Sequence, residues 1–128
     1  MSVATPISPL APAAFAKLPA VAGVRLATGV CGVKYAGRTD VLLAEMAPGT
    51  SVAGTLTQSK TASAPVQWCK ECLPEGEARG LVVNSGNANA FTGGHGRKAV
   101  EGTVQAAADV LSCRPSRIYA ASTGVIGE

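Results

Sequence analysis

Short β-like runs of apolar residues, separated by polar breaks, predict a β-rich start to the chain. Two such runs occupy about 29 to 35 and 40 to 46, and the polar break at 36–39 contains a glycine, which favours a hairpin. A third run over residues 51–59 is rich in Val, Thr and Leu and is interrupted by Gly54, which is typical of a bulge or a close backbone approach. The pattern therefore predicts three strands before the first helix.

The middle of the chain alternates between helical and extended patterns. A proline at position 65 suits the first turn of a short helix, which a second proline would end soon after Cys72. Residues 74–80 have the composition of an exposed turn. Residues 80–84 open with a continuous apolar run, the pattern of a strand buried on both faces. A loop rich in asparagine and glycine, NSGNANAFTGGHG, starts at Asn84.

The C-terminal part predicts a second helix followed by a strand. Pro115 would end a helix over residues 97–112, and a strand over 117–121 would then end at Ser122. If this strand and strand 80–84 are joined by a right-handed crossover, they run parallel, and both of the loops that follow them lie at one edge of the sheet. An antiparallel pairing would separate those loops. The predicted helix carries a narrow apolar stripe formed by Val100, Val104, Ala107, Ala108 and Leu111.

The composition indicates a globular protein and distinguishes an N-terminal arm from the rest of the chain. Its 128 residues, 47% of them hydrophobic and 15% charged, fit one globular domain or a piece of one. Residues 1–20 are proline-rich and predict an extended arm, and residues 21–128 form the folded part. The net charge of +3 comes from scattered residues, which disfavours nucleic acid as a partner. The chain shows no signal-peptide pattern and no membrane-length apolar run, so we expect a cytoplasmic protein.

A WCxxC segment, Trp68 to Cys72, resembles the redox motif of thioredoxin-like proteins. That motif needs a preceding strand and a sustained helix, whereas Pro74 interrupts the chain two residues after Cys72. A thiol redox module is therefore kept only as an alternative. The chain has four cysteines, without a second close pair, and His95 is its one histidine, so we predict free thiols and no metal site.

Two further segments carry candidate chemistry. The glycines of the NSGNANAFTGGHG loop lack the order of known phosphate-binding motifs. Its asparagines, Asn84, Asn87 and Asn89, can each donate and accept hydrogen bonds, which suits either a self-stabilising loop or one that supports a binding site. The Thr123 hydroxyl and the Gly124 amide could both point at one substrate oxygen, or they could simply form a turn that ends the strand.

Four segments taken together resemble the N-terminal part of the ornithine acetyltransferases, also called glutamate N-acetyltransferases or arginine biosynthesis bifunctional proteins. The segments are GVKYAGRTDVLLAEM, GTLTQSKTASAPVQWC, LVVNSGNANAFTG and AASTGVIGE, and the resemblance runs from about residue 20 to residue 128. It implies an α/β sandwich of sheets and helices, of the type shared with self-processing aminopeptidases, and residues 21–128 would be an incomplete part of that domain.

The resemblance also implies a mechanism and partners. Family members cut themselves before a threonine, and the resulting α and β chains assemble as an α2β2 heterotetramer. The freed threonine takes an acetyl group from N2-acetyl-L-ornithine and passes it to L-glutamate in arginine biosynthesis. No cofactor is implied, and acetyl-CoA stays open as a second acetyl donor.

The resemblance assigns the oxyanion hole to Thr123 and Gly124, with Asn84, Asn87 and Asn89 as a supporting loop. The family's Ala-Thr-Met-Leu cleavage motif is absent, and most substrate contacts would lie beyond Glu128. We therefore expect the 128-residue chain alone to have no acetyltransferase activity. A non-catalytic α/β fragment that binds a partner is the second alternative.

Overall fold

A four-stranded mixed sheet forms the centre of the computed structural model, which describes residues 8–128. The strand order is β1-β2-β3-β4; β1 pairs with β2 and β2 with β3 antiparallel, whereas β3 and β4 are parallel. This mixed sheet with its helices confirms the predicted α/β class. The strands are β1 (Val24–Gly29), β2 (Val41–Ser51), β3 (Glu77–Asn87) and β4 (Ile118–Val125).

Helix α2 (Gly93–Val110) connects β3 to β4 and covers one face of the sheet, here called the helix face. Its apolar stripe packs on the register row Leu43, Val82 and Ala120 and on Ile118, which is 0% exposed. Small side chains let the helix approach the sheet closely. The buried members of this core are Ala64, Val82, Val100, Val104, Ala107, Ala108, Ile118 and Ala120.

Helix α1 (Ala64–Cys72) packs against β4, the last strand of the sheet. The Trp68 indole N–H donates to the Ile118 carbonyl at 2.8 Å, and the Cys69 thiol donates to the Ala120 carbonyl at 3.3 Å. Edge strands carry unpaired backbone groups that need partners or protection. The first half of the WCxxC segment therefore satisfies the carbonyls of an edge strand.

The opposite face of the sheet, here called the open face, is covered only in part. The row Leu26, Ala44, Leu81 and Tyr119 lies on it. At the Tyr119 end, this row packs with α1 and with the segment after β2 in a second cluster, whereas Leu26 at the other end is 69% exposed. The second cluster consists of Met46, Val52, Leu56, Trp68, Cys69, Cys72, Leu73, Ala78, Leu81 and Tyr119.

The antiparallel pairing of the predicted hairpin is confirmed, but the bounds of its first strand and of its connection are wrong. β1 ends where the predicted run 29–35 begins, and the connection to β2 runs over residues 30–40 instead of 36–39. The cause is Asp40, whose carboxylate accepts hydrogen bonds from the amides of Cys31 at 2.7 Å and Val33 at 2.6 Å. These amides are turned toward the carboxylate, and the segment forms no ladder with β2.

The predicted third strand over residues 51–59 is also wrong. β2 extends to Ser51 through a register shift between Glu45 and Thr50, so the irregularity expected at Gly54 lies earlier in the chain. Residues 52–59 pair with no strand: Val52 and Leu56 pack into the second cluster, and the Ser59 amide donates to the Thr57 hydroxyl at 3.2 Å.

The segment over 74–80, expected to be an exposed turn, instead contains the end of a short 3-10 helix (Leu73–Glu75) and the start of β3. Gly76 is left-handed, with φ 69°, and Ala78 is only 2% exposed. β3 also differs from the doubly buried strand expected over 80–84. Buried residues alternate along it with half-buried ones, because the open face is only partly covered.

The predicted parallel pairing of the two strands around a helix is confirmed, although the boundaries of all three elements move. α2 begins at Gly93 instead of residue 97, and a 3-10 turn (Pro115–Arg117) follows it. β3 continues to Asn87, and β4 continues to Val125. Ser122, Thr123 and Gly124 are therefore strand residues and do not form a turn after a strand.

Residues 8–20 contain no helix or strand and are exposed, and residues 1–7 lie outside the described part of the chain. The proposed division of the chain at residue 20 stays a prediction. Among residues 8–128, no helix combines the length and the apolar content needed to cross a membrane.

Candidate functional site at the carboxyl ends of β3 and β4

The two segments singled out from the sequence lie side by side. In the parallel ladder, Asn84 pairs with Ser122, Ser85 with Thr123 and Gly86 with Gly124. The asparagine-rich segment and the Ser-Thr-Gly segment therefore meet at the carboxyl ends of β3 and β4, as the crossover predicts.

Ser122 joins the asparagines into one hydrogen-bond network. Its hydroxyl donates to Asn84 Oδ1 at 2.5 Å and accepts from Asn89 Nδ2 at 3.2 Å. Asn84 Nδ2 donates to the Asn87 carbonyl at 2.9 Å, and Asn87 Oδ1 accepts the Asn89 amide at 2.7 Å. All three predicted asparagines take part, whereas Ser122 was not singled out from the sequence.

The loop after β3 is tied to its surroundings by backbone bonds. Asn89 is left-handed with φ 49°, a conformation that asparagine tolerates better than most residues. Its carbonyl accepts the Ala64 amide at the start of α1 at 3.0 Å. The Ala88 amide donates to the Val125 carbonyl at 2.9 Å, so the contact with β4 continues past the end of β3.

Two glycines let the ends of β3 and β4 approach closely. Gly86 and Gly124 have φ of 124° and 134°, which disfavour any other residue. A Cβ atom on Gly124 would lie 2.3 Å from the Gly86 carbonyl carbon and 2.6 Å from the Asn87 nitrogen. Only glycine fits at position 124 without a movement of the backbone.

Thr123 and Gly124 are exposed. Because side chains alternate along a strand, Ser122 shares the helix face with Ile118 and Ala120, and Thr123 projects from the open face. Peptide groups alternate as well: the carbonyls of Ile118 and Ala120 point to α1, away from β3. The same alternation predicts that the Gly124 amide points away from β3.

A buried carboxylate, that of Asp40, lies next to β3 at the end of the 30–40 loop. Asp40 is 4% exposed, and the amides of Cys31 and then Val33 hold the pKa of its carboxyl below the ordinary value. Its carbonyl accepts the Ser85 amide at 2.8 Å, which links the 30–40 loop to β3. Sequence reasoning missed Asp40; the available signal was an aspartate that follows a glycine-containing polar break.

Comparison with known proteins assigns the family. The sequence model of the ArgJ family matches residues 25–128. The chain belongs to the ArgJ family. The arginine biosynthesis bifunctional protein ArgJ of Bradyrhizobium diazoefficiens is 57% identical over 95% of this chain, and that of Nitrobacter winogradskyi is 55% identical over 98%. The chain spans 30% and 31% of the lengths of these two relatives.

A solved structure has the same fold as this ArgJ chain. The ornithine acetyltransferase of Mycobacterium tuberculosis, solved in complex with ornithine, superimposes with a TM-score of 0.79 and is 34% identical. The match covers 84% of this chain and 58% of the solved one. The fold is therefore that of the N-terminal portion of ornithine acetyltransferases.

The WCxxC thiols of this ArgJ chain are poorly suited to redox chemistry. Cys69 and Cys72 are buried, and burial raises the pKa of both thiols, that of Cys72 to about 11. A redox cysteine needs a lowered pKa and access to solvent, so the geometry argues against the redox alternative. Within residues 8–128, no three His, Cys, Asp or Glu side chains are grouped closely enough to hold a metal ion.

Two adjoining grooves lie beside the asparagine loop. Both are lined by Asn89, Phe91 and Thr92; the first also contacts Lys60 and Arg97, and the second contacts His95. Neither groove is lined by Thr123 or Gly124. The described surface that contains the oxyanion candidates is therefore open, and the grooves lie beside it.

Proposed function

We propose that this chain supplies the oxyanion-stabilising part of an acetyltransferase site that moves an acetyl group from N2-acetyl-L-ornithine to L-glutamate. The Thr123 hydroxyl and the Gly124 amide would donate to the acetyl carbonyl oxygen as negative charge develops on it. The observation that carries this proposal is that Thr123 and Gly124 are exposed at the carboxyl end of β4, beside the asparagine loop. Such preorganised donors stabilise the charge of a tetrahedral intermediate.

The glycine at 124 contributes in two ways. Its lack of a Cβ lets β4 stay against Gly86, where any side chain would collide. It also leaves the amide open to an approaching carbonyl group. Thr123, on the neighbouring position, adds a hydroxyl that can rotate toward the same oxygen.

Because Thr123 and Gly124 are exposed in this chain, another part of the protein has to shield them from water. Donors stabilise an oxyanion most strongly when water is excluded. The chain spans only 30% of the Bradyrhizobium relative. We assign two things to the rest of the full-length protein: the part that shields the site from water and the group that attacks the substrate. We therefore expect the 128-residue chain alone to be inactive.

The remaining parts of the proposal rest on the resemblance to the ornithine acetyltransferases. The nucleophile is a threonine freed by self-cleavage, and the β chain that carries it pairs with the α chain in an α2β2 heterotetramer. The enzyme works in the cytoplasm without a cofactor, and acetyl-CoA is an alternative acetyl donor. The ornithine complex of the mycobacterial relative supports an ornithine-type substrate.

The test uses a complete enzyme in which this chain replaces the matching segment of the Bradyrhizobium diazoefficiens relative. Formation of ornithine and N-acetylglutamate is followed with time. Thr123→Ala is expected to lower kcat by about 10²–10³-fold, the range for loss of one oxyanion donor, with little change in KM.

Thr103→Ala is the matched control, because this threonine lies on the exposed surface of α2 and bonds only the Ala99 carbonyl of its own helix, at 2.8 Å. An unchanged kcat in Thr123→Ala, with activity present in the parent enzyme, would remove Thr123 from the oxyanion hole.

A further inference from the structure

The residue before the proposed oxyanion pair has its side chain on the opposite side of the sheet. Ser122 projects from the helix face, where Asn84 and Asn89 hold its hydroxyl, and Thr123 projects from the open face. A strand residue anchored on one face fixes how its neighbour is presented on the other. The hydroxyl of Ser122 is therefore placed to control the position of Thr123.

Each donor and acceptor in the hydrogen-bond network can be assigned in only one way. The Asn87 carbonyl can only accept, so the Asn84 side chain must turn its Nδ2 toward that carbonyl and its Oδ1 toward Ser122. The one proton of the Ser122 hydroxyl is then used at Asn84, and its lone pair is left for Asn89 Nδ2. Such a network specifies one arrangement of its members.

Ser122 also continues a series of anchors along β4. The carbonyls of Ile118 and Ala120 are held by donors of α1, Trp68 and Cys69. Two residues further along, Ser122 is held through its side chain instead, by Asn84 of β3 and by Asn89 of the asparagine loop. Immediately after it, β4 has its close contact with Gly86 at Gly124.

We propose that Ser122 is a positioning residue for acetyl transfer, whose hydroxyl, held between Asn84 and Asn89, sets the placement of the Thr123 hydroxyl and the Gly124 amide. The inference rests on the proposed function of those two donors. It adds that the asparagine loop acts on the reaction by holding Ser122 in position. Displacements of about 1 Å in catalytic geometry can cost on the order of 10²-fold in rate.

The test compares variants of the complete enzyme described above. Ser122→Ala is expected to lower kcat about 10-fold to 100-fold, less than Thr123→Ala, with KM changed by less than about two-fold. Ser122→Thr keeps the hydroxyl on a side chain that strands accommodate and is expected to restore most of kcat. Asn89→Ala, which removes one of the two bonds, is expected to lie between Ser122→Ala and the parent enzyme. Thr103→Ala again serves as the control.

The outcomes separate this inference from the proposed function. If Thr123→Ala lowers kcat and Ser122→Ala does not, the positioning role of Ser122 is overturned and the oxyanion proposal stands. If neither variant changes kcat, the oxyanion proposal itself is lost, and the inference falls with it.

A purely structural role gives a different result. A fall in kcat that Ser122→Thr fails to reverse, or one that comes with an equal rise in KM, overturns the inference. If Ser122→Ala does not fold, Asn89→Ala and Ser122→Thr decide the question: reduced kcat in the first and near-parent kcat in the second support positioning, and any other pair of results overturns it.

Discussion

The two faces of the sheet differ in how completely they are covered. On the helix face, Val104 and Ile118 are 0% exposed, and α2 closes over them. On the open face, only the Tyr119 end is packed, and Leu26 remains 69% exposed. The proposed oxyanion residue Thr123 projects from the open face, whereas Ser122, its neighbour, belongs to the helix face.

This difference shows how one strand can serve stability and chemistry at once. Residues of β4 that face α2 are fixed by packing and by bonds from α1 and the asparagine loop. Residues that face the other way make few contacts and can meet a substrate or another part of the enzyme. A functional residue in such a strand is held in place through its neighbours, since its own side chain is free.

The largest expected effect of a substitution comes from a cavity on the helix face. Ile118→Ala removes a fully buried side chain and is expected to lower the free energy of unfolding by about 2–5 kcal/mol. Leu26→Ala, the matched truncation on the open face, is expected to change it by no more than about 0.5 kcal/mol. Chemical denaturation of the 128-residue chain measures both. Equal losses would mean that the open face is packed in solution as tightly as the helix face.

A smaller effect is expected where the 30–40 loop meets β3. Asp40 has a pKa below its ordinary value of 3.8 because the amides of Cys31 and Val33 bond its charged form. Its contribution to stability is therefore present above pH 3.8 and is lost as the pH falls through the lower pKa of the folded state. Asp40→Asn is expected to be less stable than the parent at pH 7, and the difference should shrink below pH 3.8.

Thermal unfolding of both proteins from pH 7 to pH 2.5 tests this dependence. The control is Asp109→Asn, which alters an exposed carboxylate that accepts from Gln105 at 2.8 Å. Surface changes of this kind shift stability by no more than about 0.5 kcal/mol. A difference between the parent and Asp40→Asn that stays constant over the whole range would show that the shape of the side chain matters and its charge does not.

The C-terminal half of the fold could be predicted because its signals are local. The helical stripe that includes Val100 and Val104 and the flanking apolar runs specify a strand, a helix and a strand, and the handedness rule makes the strands parallel. The runs over 29–35 and 51–59 were misassigned because a β-like residue pattern does not show which partners the backbone will find. In the first run, the amides of Cys31 and Val33 bond the Asp40 carboxylate. In the second, residues 52–59 pair with no strand, and Val52 and Leu56 pack into the second cluster.

The candidate site was only partly predictable for a similar reason. The asparagines and the Thr-Gly pair are visible in the sequence, and the parallel crossover brings them together. Ser122 could not be recognised in the same way, because its role depends on the strand register that places it opposite Asn84. That register is set by long-range packing. Gly124 was expected in a turn, but its contact with Gly86 keeps it in the strand.

The smallest effect concerns the thiols, which differ in exposure. Cys31 is exposed on the 30–40 loop, whereas Cys69 and Cys72 lie on the buried side of α1. With a pKa of about 11, Cys72 would be roughly one part in a thousand thiolate at pH 8. A thiol reagent at pH 8 should therefore modify Cys31 quickly and the two buried thiols slowly, with all four cysteines reacting after unfolding.

Cys31→Ser should abolish the fast phase and leave the slow phase unchanged. Fast reaction at Cys69 or Cys72, or a disulfide between them that forms readily in a mild redox buffer, would contradict the edge-protecting role given to Trp68 and Cys69. Either result would restore the redox alternative. The burial of Cys69 argues for the slow outcome, because it raises the pKa of the thiol, and the hydrogen bond to the Ala120 carbonyl keeps that thiol against the strand that carries Ser122 and Thr123.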